Sequence, residues 1–153
     1  MVRVSFRIGY DAAQLAHVVD TLTDLRDRGD DLTPLWPKIG DWFAERQRAV
    51  WDRGRSAWKP LDADYLIANR RSGFAGRGPL IRTGALKRAV SKGTPVKQTP
   101  SYAVFGAKGG PAWYGVFHQR GTTVMPKRQP VPKLTATERR EVVTLVADYL
   151  LGR

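Results

Sequence analysis

Thr33-Pro34-Leu35-Trp36-Pro37-Lys38-Ile39-Gly40-Asp41-Trp42-Phe43-Ala44-Glu45-Arg46-Gln47-Arg48-Ala49-Val50-Trp51 is the stretch on which the fold turns. A threonine followed by a proline is a helix start: the hydroxyl caps, and proline loses nothing in the first turn. Trp36, Ile39, Phe43 and Val50 recur at helical spacing and form one apolar face, with Gly54 expected to close the helix. Trp42 and Trp51 widen that face, which implies burial on more than one side and apolar surface left over for partners.

On the N-terminal side, Val2, Val4, Phe6 and Ile8 alternate with Arg3, Ser5, Arg7 and Gly9, the period of a half-buried strand. Asp11 is expected to cap a helix, with Gln14 as capping-box partner. Leu15, Val18, Val19, Leu22 and Leu25 form its stripe, and Gly29 follows its end. On the C-terminal side, residues 54–133 are rich in glycine and proline. A brief helix is expected around Asp62–Arg70, then a loop over Gly73–Gly78 and a short element from Thr83 to Ser91. Strands are expected at Pro95–Gln98 and Tyr102–Gly106. Gly109-Gly110-Pro111 reads as a break, before an ordered segment from Trp113 to Gln119. Thr135 and Glu138 form a capping box for a last helix, whose core face is Val142, Leu145, Val146, Tyr149 and Leu150. This order predicts a single α+β domain over residues 1–153. A small mixed, mainly antiparallel sheet packs with two N-terminal helices and a C-terminal amphipathic helix. Residues 1–53 form the strand and two helices, 54–133 a basic, loop-rich sheet region, and 134–153 the last helix.

Composition narrows the function. The 153 residues are 42% apolar and contain no cysteine, which rules out disulfides and thiolate chemistry. His17 and His118 are too few for an ordinary zinc site, so neither metal nor cofactor is expected. No apolar run is long enough to span a membrane, and the alternating N-terminus is unlike a signal peptide, so synthesis in the cytoplasm is expected. The net charge is +12, and its distribution is uneven. Residues 1–53 carry −1 and residues 134–153 are neutral. Residues 54–133 hold 15 Lys/Arg against only Asp62 and Asp64, a net of +13. Such a segment faces DNA or an acidic protein. Its cations include Arg70, Arg71, Arg77, Arg82, Lys87, Arg88, Lys92, Lys97 and Arg128. They are spread over loops and short elements with few interleaved aromatics, so contact with phosphates, insensitive to base sequence, is expected. The loops over Gly73–Gly78, Gly109–Pro111 and Lys127–Lys133 are expected to be mobile in the free subunit.

No catalytic constellation emerges. Asp62 and Asp64, two residues apart, would point to different sides of a helix. The glycines of residues 73–78 fit neither phosphate-binding fingerprint. His118 is the one candidate acid or base, and without a visible partner it reads better as a turn residue that, with Gln119, bonds nearby backbone.

The segment around His118 also carries a resemblance. Tyr114-Gly115-Val116-Phe117-His118-Gln119-Arg120-Gly121 resembles the Tyr-Ala-x-x-His-Gln-x-Gly signature of phage virion-morphogenesis, or tail-completion, proteins, a family that includes the gene G product of phage Mu. Other blocks follow in the family's order over roughly residues 35–151. Trp58-Lys59-Pro60-Leu61 is similar to Trp-x-Pro-Leu, with Tyr65 at a familiar offset. Ile81-Arg82-Thr83-Gly84-Ala85-Leu86 is similar to Leu-x-x-Thr-Gly-x-Leu, and Val104-Phe105-Gly106 stands where the family has Val-Gly. The chain departs from the pattern at Gly115, where alanine is usual. It departs again at Pro126–Pro132, where Pro126 and Arg128 remain but a Phe-Leu pair does not, and in its N-terminal strand and helix. The resemblance implies a non-enzymatic virion protein of the neck or head-proximal tail, of tail-completion or tail-terminator type. It also implies a ring, hexameric by tail geometry and closed by heterologous interfaces, which contacts connector and tail-tube proteins and lets DNA pass. The other reading open to these residues is a small basic nucleic-acid-binding protein, or a ribonuclease toxin using His118.

Overall fold

The computed structural model describes residues 11–153, with 54–57 as backbone only. The strand expected over residues 2–8 lies outside the described residues. Helices dominate: α1 (Ala12–Asp30), a 3₁₀ turn (Thr33–Leu35), α2 (Trp36–Ala57), α3 (Ala63–Arg71), α4 (Ala85–Val90), α5 (Gly110–Arg120) and α6 (Ala136–Leu150). Between α4 and α5 a hairpin pairs β1 (Lys97–Gln98) with β2 (Ala103–Val104), antiparallel, Lys97 opposite Val104. The architecture is mixed but helix-rich, and its sheet is this one pair of strands among the described residues.

The long helix α2 is the spine, and it serves two cores. Its first turns place Trp36 and Ile39 with Leu35, packed by Phe105 of the hairpin arm and by Val142, Leu145, Val146 and Tyr149 of α6. The indole N–H of Trp36 donates to the Thr99 carbonyl at 2.9 Å, which pins the hairpin turn. The far end of α2 places Trp51 with Leu86 and Val90 of α4, flanked by Trp58, Leu80, Ile81, Tyr114 and Val131. Trp51 and Trp58 meet edge to face with centroids 5.1 Å apart, a favoured aromatic geometry. Proline at 34 opens a 3₁₀ turn before the α-helix proper begins at Trp36, and α2 continues through Gly54.

Helix α2 is stapled to the start of α6 by charge. Arg46 on α2 is buried, and its Nε donates to Glu138 at 2.9 Å while Nη2 reaches the carbonyls of Pro132 and Lys133. Glu138 also closes the capping box: its carboxylate accepts from Thr135 N, and its own N–H donates to Thr135 Oγ1. Burial pushes the Glu138 carboxyl up, but the Arg46 and Thr135 bonds outweigh it and hold the group below its ordinary value.

Three expectations are corrected. Among the described residues nothing covers the α1 stripe: Leu15, Val18, Val19, Leu22 and Leu25 are 40–60% exposed, and none of the helix's residues is buried. The α1 helix also includes Gly29, and its Asp11 cap bonds Ala13 N. Conversely, the α2 tryptophans are spent internally. Trp36 and Trp51 are buried, and Trp42 is half-buried with its indole N–H on Glu141. Finally, Gly109-Gly110-Pro111 does not break the chain but starts α5. Gly109 takes φ 74°, and proline occupies the first turn, where no N–H is needed.

Candidate functional site

Thr83-Gly84 turns the chain into α4. Gly84 adopts φ 71°, a left-handed conformation that suits glycine, and Thr83 Oγ1 accepts from Ala85 N at 3.3 Å. The turn delivers Leu86 into the core beside Trp51. α5 lies against α4 at Gly115, where a Cβ would stand 3.0 Å from Leu86 Cδ1. A side chain at position 115 would thus press on Leu86, and glycine leaves α4 and α5 free to meet there.

The last turn of α5 is clasped by the segment that follows. Gln119 donates from Nε2 to the Val131 carbonyl at 2.7 Å and accepts from Val131 N at 3.2 Å. The His118 carbonyl accepts from Arg128 N at 2.9 Å, and Gly121, at φ 78°, reverses the chain. Arg128 and Val131 thus tie the 127–133 segment to the last turn of α5. Arg128 is only 6% exposed, and its Nε and Nη2 each donate at 2.8 Å, to the carbonyls of Lys59 and Pro60. Grouped above with the interface cations, Arg128 is instead an inward staple between the Trp58–Leu61 block and the α5 segment.

These elements line a partly open cavity of about 640 Å³. Leu61 and Tyr65, Thr83 and Leu86, Tyr114 and His118 all line it, so residues from three separated sequence blocks share one wall. Asp62, Asn69, Arg82, Met125 and Arg128 line it too. Trp58 is packed beneath, on Trp51. Sequence reading did not single out Asn69, Leu80 or Met125. Leu80 had no local signal, yet it is the one non-glycine with positive φ among the described residues, at 66°. Such strain costs of order 1–3 kcal/mol and persists only where the surroundings enforce it.

His118 Nδ1 is buried without a hydrogen-bond partner among the described residues. Burial, then the nearby Arg128 charge, push its pKa below the ordinary value. The unfolded chain, with an imidazole near its usual pKa of about 6.5, binds the proton first as pH falls. Stability from this group is therefore complete above about pH 6.5 and declines below it until the folded pKa is passed. Urea denaturation at pH 7.5 and 5.5 should show a larger loss for wild type than for His118→Phe. Equal losses would contradict this account.

The remaining cations are distributed over several elements. Arg77 and Arg82 both stand over the Phe74 ring, at 5.3 and 5.0 Å. Arg88 donates to the Thr83 carbonyl, and Lys87 lies 3.7 Å from Asp52. Arg70 and Arg71 end α3, and Lys92 follows α4, all exposed. Lys97 is on the hairpin that serves the other core, over Tyr102. Among the described residues no three metal-ligating side chains gather, and no helix is long and apolar enough to cross a membrane. Comparison with protein-family models, with curated proteins and with solved structures found no match.

Proposed function

We propose that the chain is a non-catalytic structural protein of a tailed-phage neck or tail, of the tail-completion or tail-terminator type. In this reading it is made in the host cytoplasm and assembles into a ring, hexameric by tail geometry. The ring joins the tail to the head connector, touches tail-tube subunits and lets DNA pass, with no membrane involved. One observation carries the reading. Trp58, Leu61, Tyr65, Thr83, Leu86, Tyr114 and His118, from three of the blocks that carry the resemblance, are far apart in sequence but meet around one core and one cavity, while Phe105 of a fourth block packs on the other core. A chance scatter of short motifs would have no reason to converge.

Surface for subunit contacts is available. The α1 stripe is one face; Trp113 on α5, 72% exposed with its ring against Phe117, is another. Two different apolar faces suit the heterologous contacts that close a ring. The cations Arg70, Arg71 and Lys92 supply charge for phosphates or an acidic neighbour.

The test is complementation of a null phage. Wild type should restore infectivity and be detected by mass spectrometry in purified particles. Combined Arg70→Glu, Arg71→Glu and Lys92→Glu leaves the internal bonds of Arg82, Lys87 and Arg88 untouched, so the protein should fold. It should cut infectious particles by at least tenfold, on the order expected for reversing several phosphate-facing charges. Absence of the protein from particles, or full infectivity of the folded triple variant, would count against the reading.

A nucleic-acid-binding or ribonuclease role keeps one observation in its favour: Asp62 and Tyr65 share the cavity with His118. That role requires RNA cleavage by the purified protein, lost in His118→Ala.

A further inference from the structure

Among the described residues two arginines are buried, Arg46 and Arg128, and they are held alike. Each donates to a pair of backbone carbonyls: Arg46 to Pro132 and Lys133, Arg128 to Lys59 and Pro60. They differ in one respect. Arg46 also pairs with a carboxylate, Glu138, whereas no carboxylate of the described residues pairs with Arg128. Carbonyl dipoles offset part of the cost of burying a cation, but an unpaired buried charge remains expensive.

Arg128 does not face solid core. It lines the 640 Å³ cavity, together with His118, whose Nδ1 is buried and lacks a partner. Arg82 adds a second cation, and Asp62 contributes an anion whose Oδ1 is already engaged by Asp64 N. Much of the remaining wall is apolar or aromatic: Leu61, Tyr65, Leu86, Met125. A mostly apolar cavity of this size with a few convergent polar groups is the ordinary form of a ligand site.

We propose that this cavity binds a carboxylate carried on an apolar or aromatic body, with Arg128 and His118 holding the carboxylate and Tyr65, Leu86 and Met125 the body. His118 is half-buried with Nδ1 inside, so Nε2 is the ring nitrogen left for a ligand: the neutral imidazole can donate Nε2–H to one carboxylate oxygen while Arg128 answers the other. The Asp62 charge disfavours a dianion such as phosphate. The carboxylate belongs either to a free small acid or to the C-terminus of a polypeptide. This inference does not depend on the virion reading, because it rests on Arg128, His118 and the cavity alone.

The experiment uses the whole protein with ¹⁵N-labelled histidine. Probes are N-acetyl-phenylalanine and an acetylated hexapeptide of five alanines ending in phenylalanine, each compared with its C-terminal carboxamide. Calorimetry should show the acids binding at least about tenfold more tightly than the amides, the usual worth of a charge-assisted bond. The His118 resonances should shift while those of His17, on exposed α1, stay still. His118→Phe, checked for fold by circular dichroism, should weaken the acids more than the amides and so narrow the preference for the acid. Binding of the small acid alone assigns the site to a free metabolite; binding of the hexapeptide acid as well assigns it to a chain terminus. Equal affinity for acid and amide would overturn the proposal. So would an unmoved His118, full competition by inorganic phosphate, or no binding by any probe at about 10 mM, the weak limit for a specific small ligand.

Discussion

Gly40→Ala is expected to unfold the protein or cost it about 3 kcal/mol or more, the upper range for overpacking a tight site. Gly40 lies on α2 where the helix backbone meets the turn after α4. A Cβ built at Gly40 runs into the Gly93 carbonyl, and a Cβ at Gly93 would stand 2.5 Å from the Gly40 oxygen. Both neighbours are main chain, so no rotamer change relieves the clash. Gly93 also has φ 71°, which penalises any side chain there. Gly29→Ala is the control: it sits in α1 with open space around it and should be neutral or raise stability by up to about 1 kcal/mol. Urea denaturation followed by circular dichroism reads both, a lower midpoint at constant slope marking a true loss of stability. A Gly40→Ala protein within about 1 kcal/mol of wild type would mean that the two backbones separate easily.

Trp51→Ala should be nearly as severe, at about 3–5 kcal/mol. The side chain is 0% exposed and joins α2 to α4 and to Trp58. Its indole N–H, however, is buried without a partner among the described residues. An unpaired buried donor costs about 1–3 kcal/mol, so Trp51→Phe removes a liability along with some packing. The phenylalanine variant should therefore lose less than half of what the alanine variant loses. Equal losses in the two would show that the indole N–H is not a burden.

Much of the helical frame was legible because its signals are local. The capping box at Thr135 and Glu138 needs only three residues of spacing, and the α2 face needs only the helical period. The left-handed turn at Gly84 was likewise readable from Thr83-Gly84-Ala85-Leu86. What escaped the sequence is non-local. Periodicity marked the α1 stripe as apolar, but it carries no information about what covers a stripe, and here nothing among the described residues does. Lys127-Arg128 in a proline-rich run reads as exposed charge. The carbonyls that draw Arg128 inward belong to Lys59 and Pro60, almost seventy residues earlier. Gln119 was expected to bond backbone near its turn, and Val131 answers at both ends of the amide. His118, paired with it in that expectation, has no such partner at Nδ1. The glycine pair before Pro111 suggested a break because glycine disfavours helix interiors, yet at a first turn that penalty hardly applies. The paired strands, Lys97–Gln98 and Ala103–Val104, are shorter than the Pro95–Gln98 and Tyr102–Gly106 stretches expected, and the hairpin they form holds Phe105 and the Thr99 carbonyl against α2.

Helix α1 has a mechanical consequence. Nineteen residues at about 1.5 Å each make an arm of about 28 Å. Among the described residues its side-chain hydrogen bonds to the body are at one end, where Arg28 donates to the Leu150 carbonyl and Tyr149 Oη donates to the Asp31 carbonyl. An arm secured at its base is a lever. A rotation of about 10° at Asp31 would carry the Asp11 end through about 5 Å, roughly the pitch of one helical turn. A small rotation at the end of α6 would thereby be magnified into a full step in the position of the Leu15–Leu22 stripe.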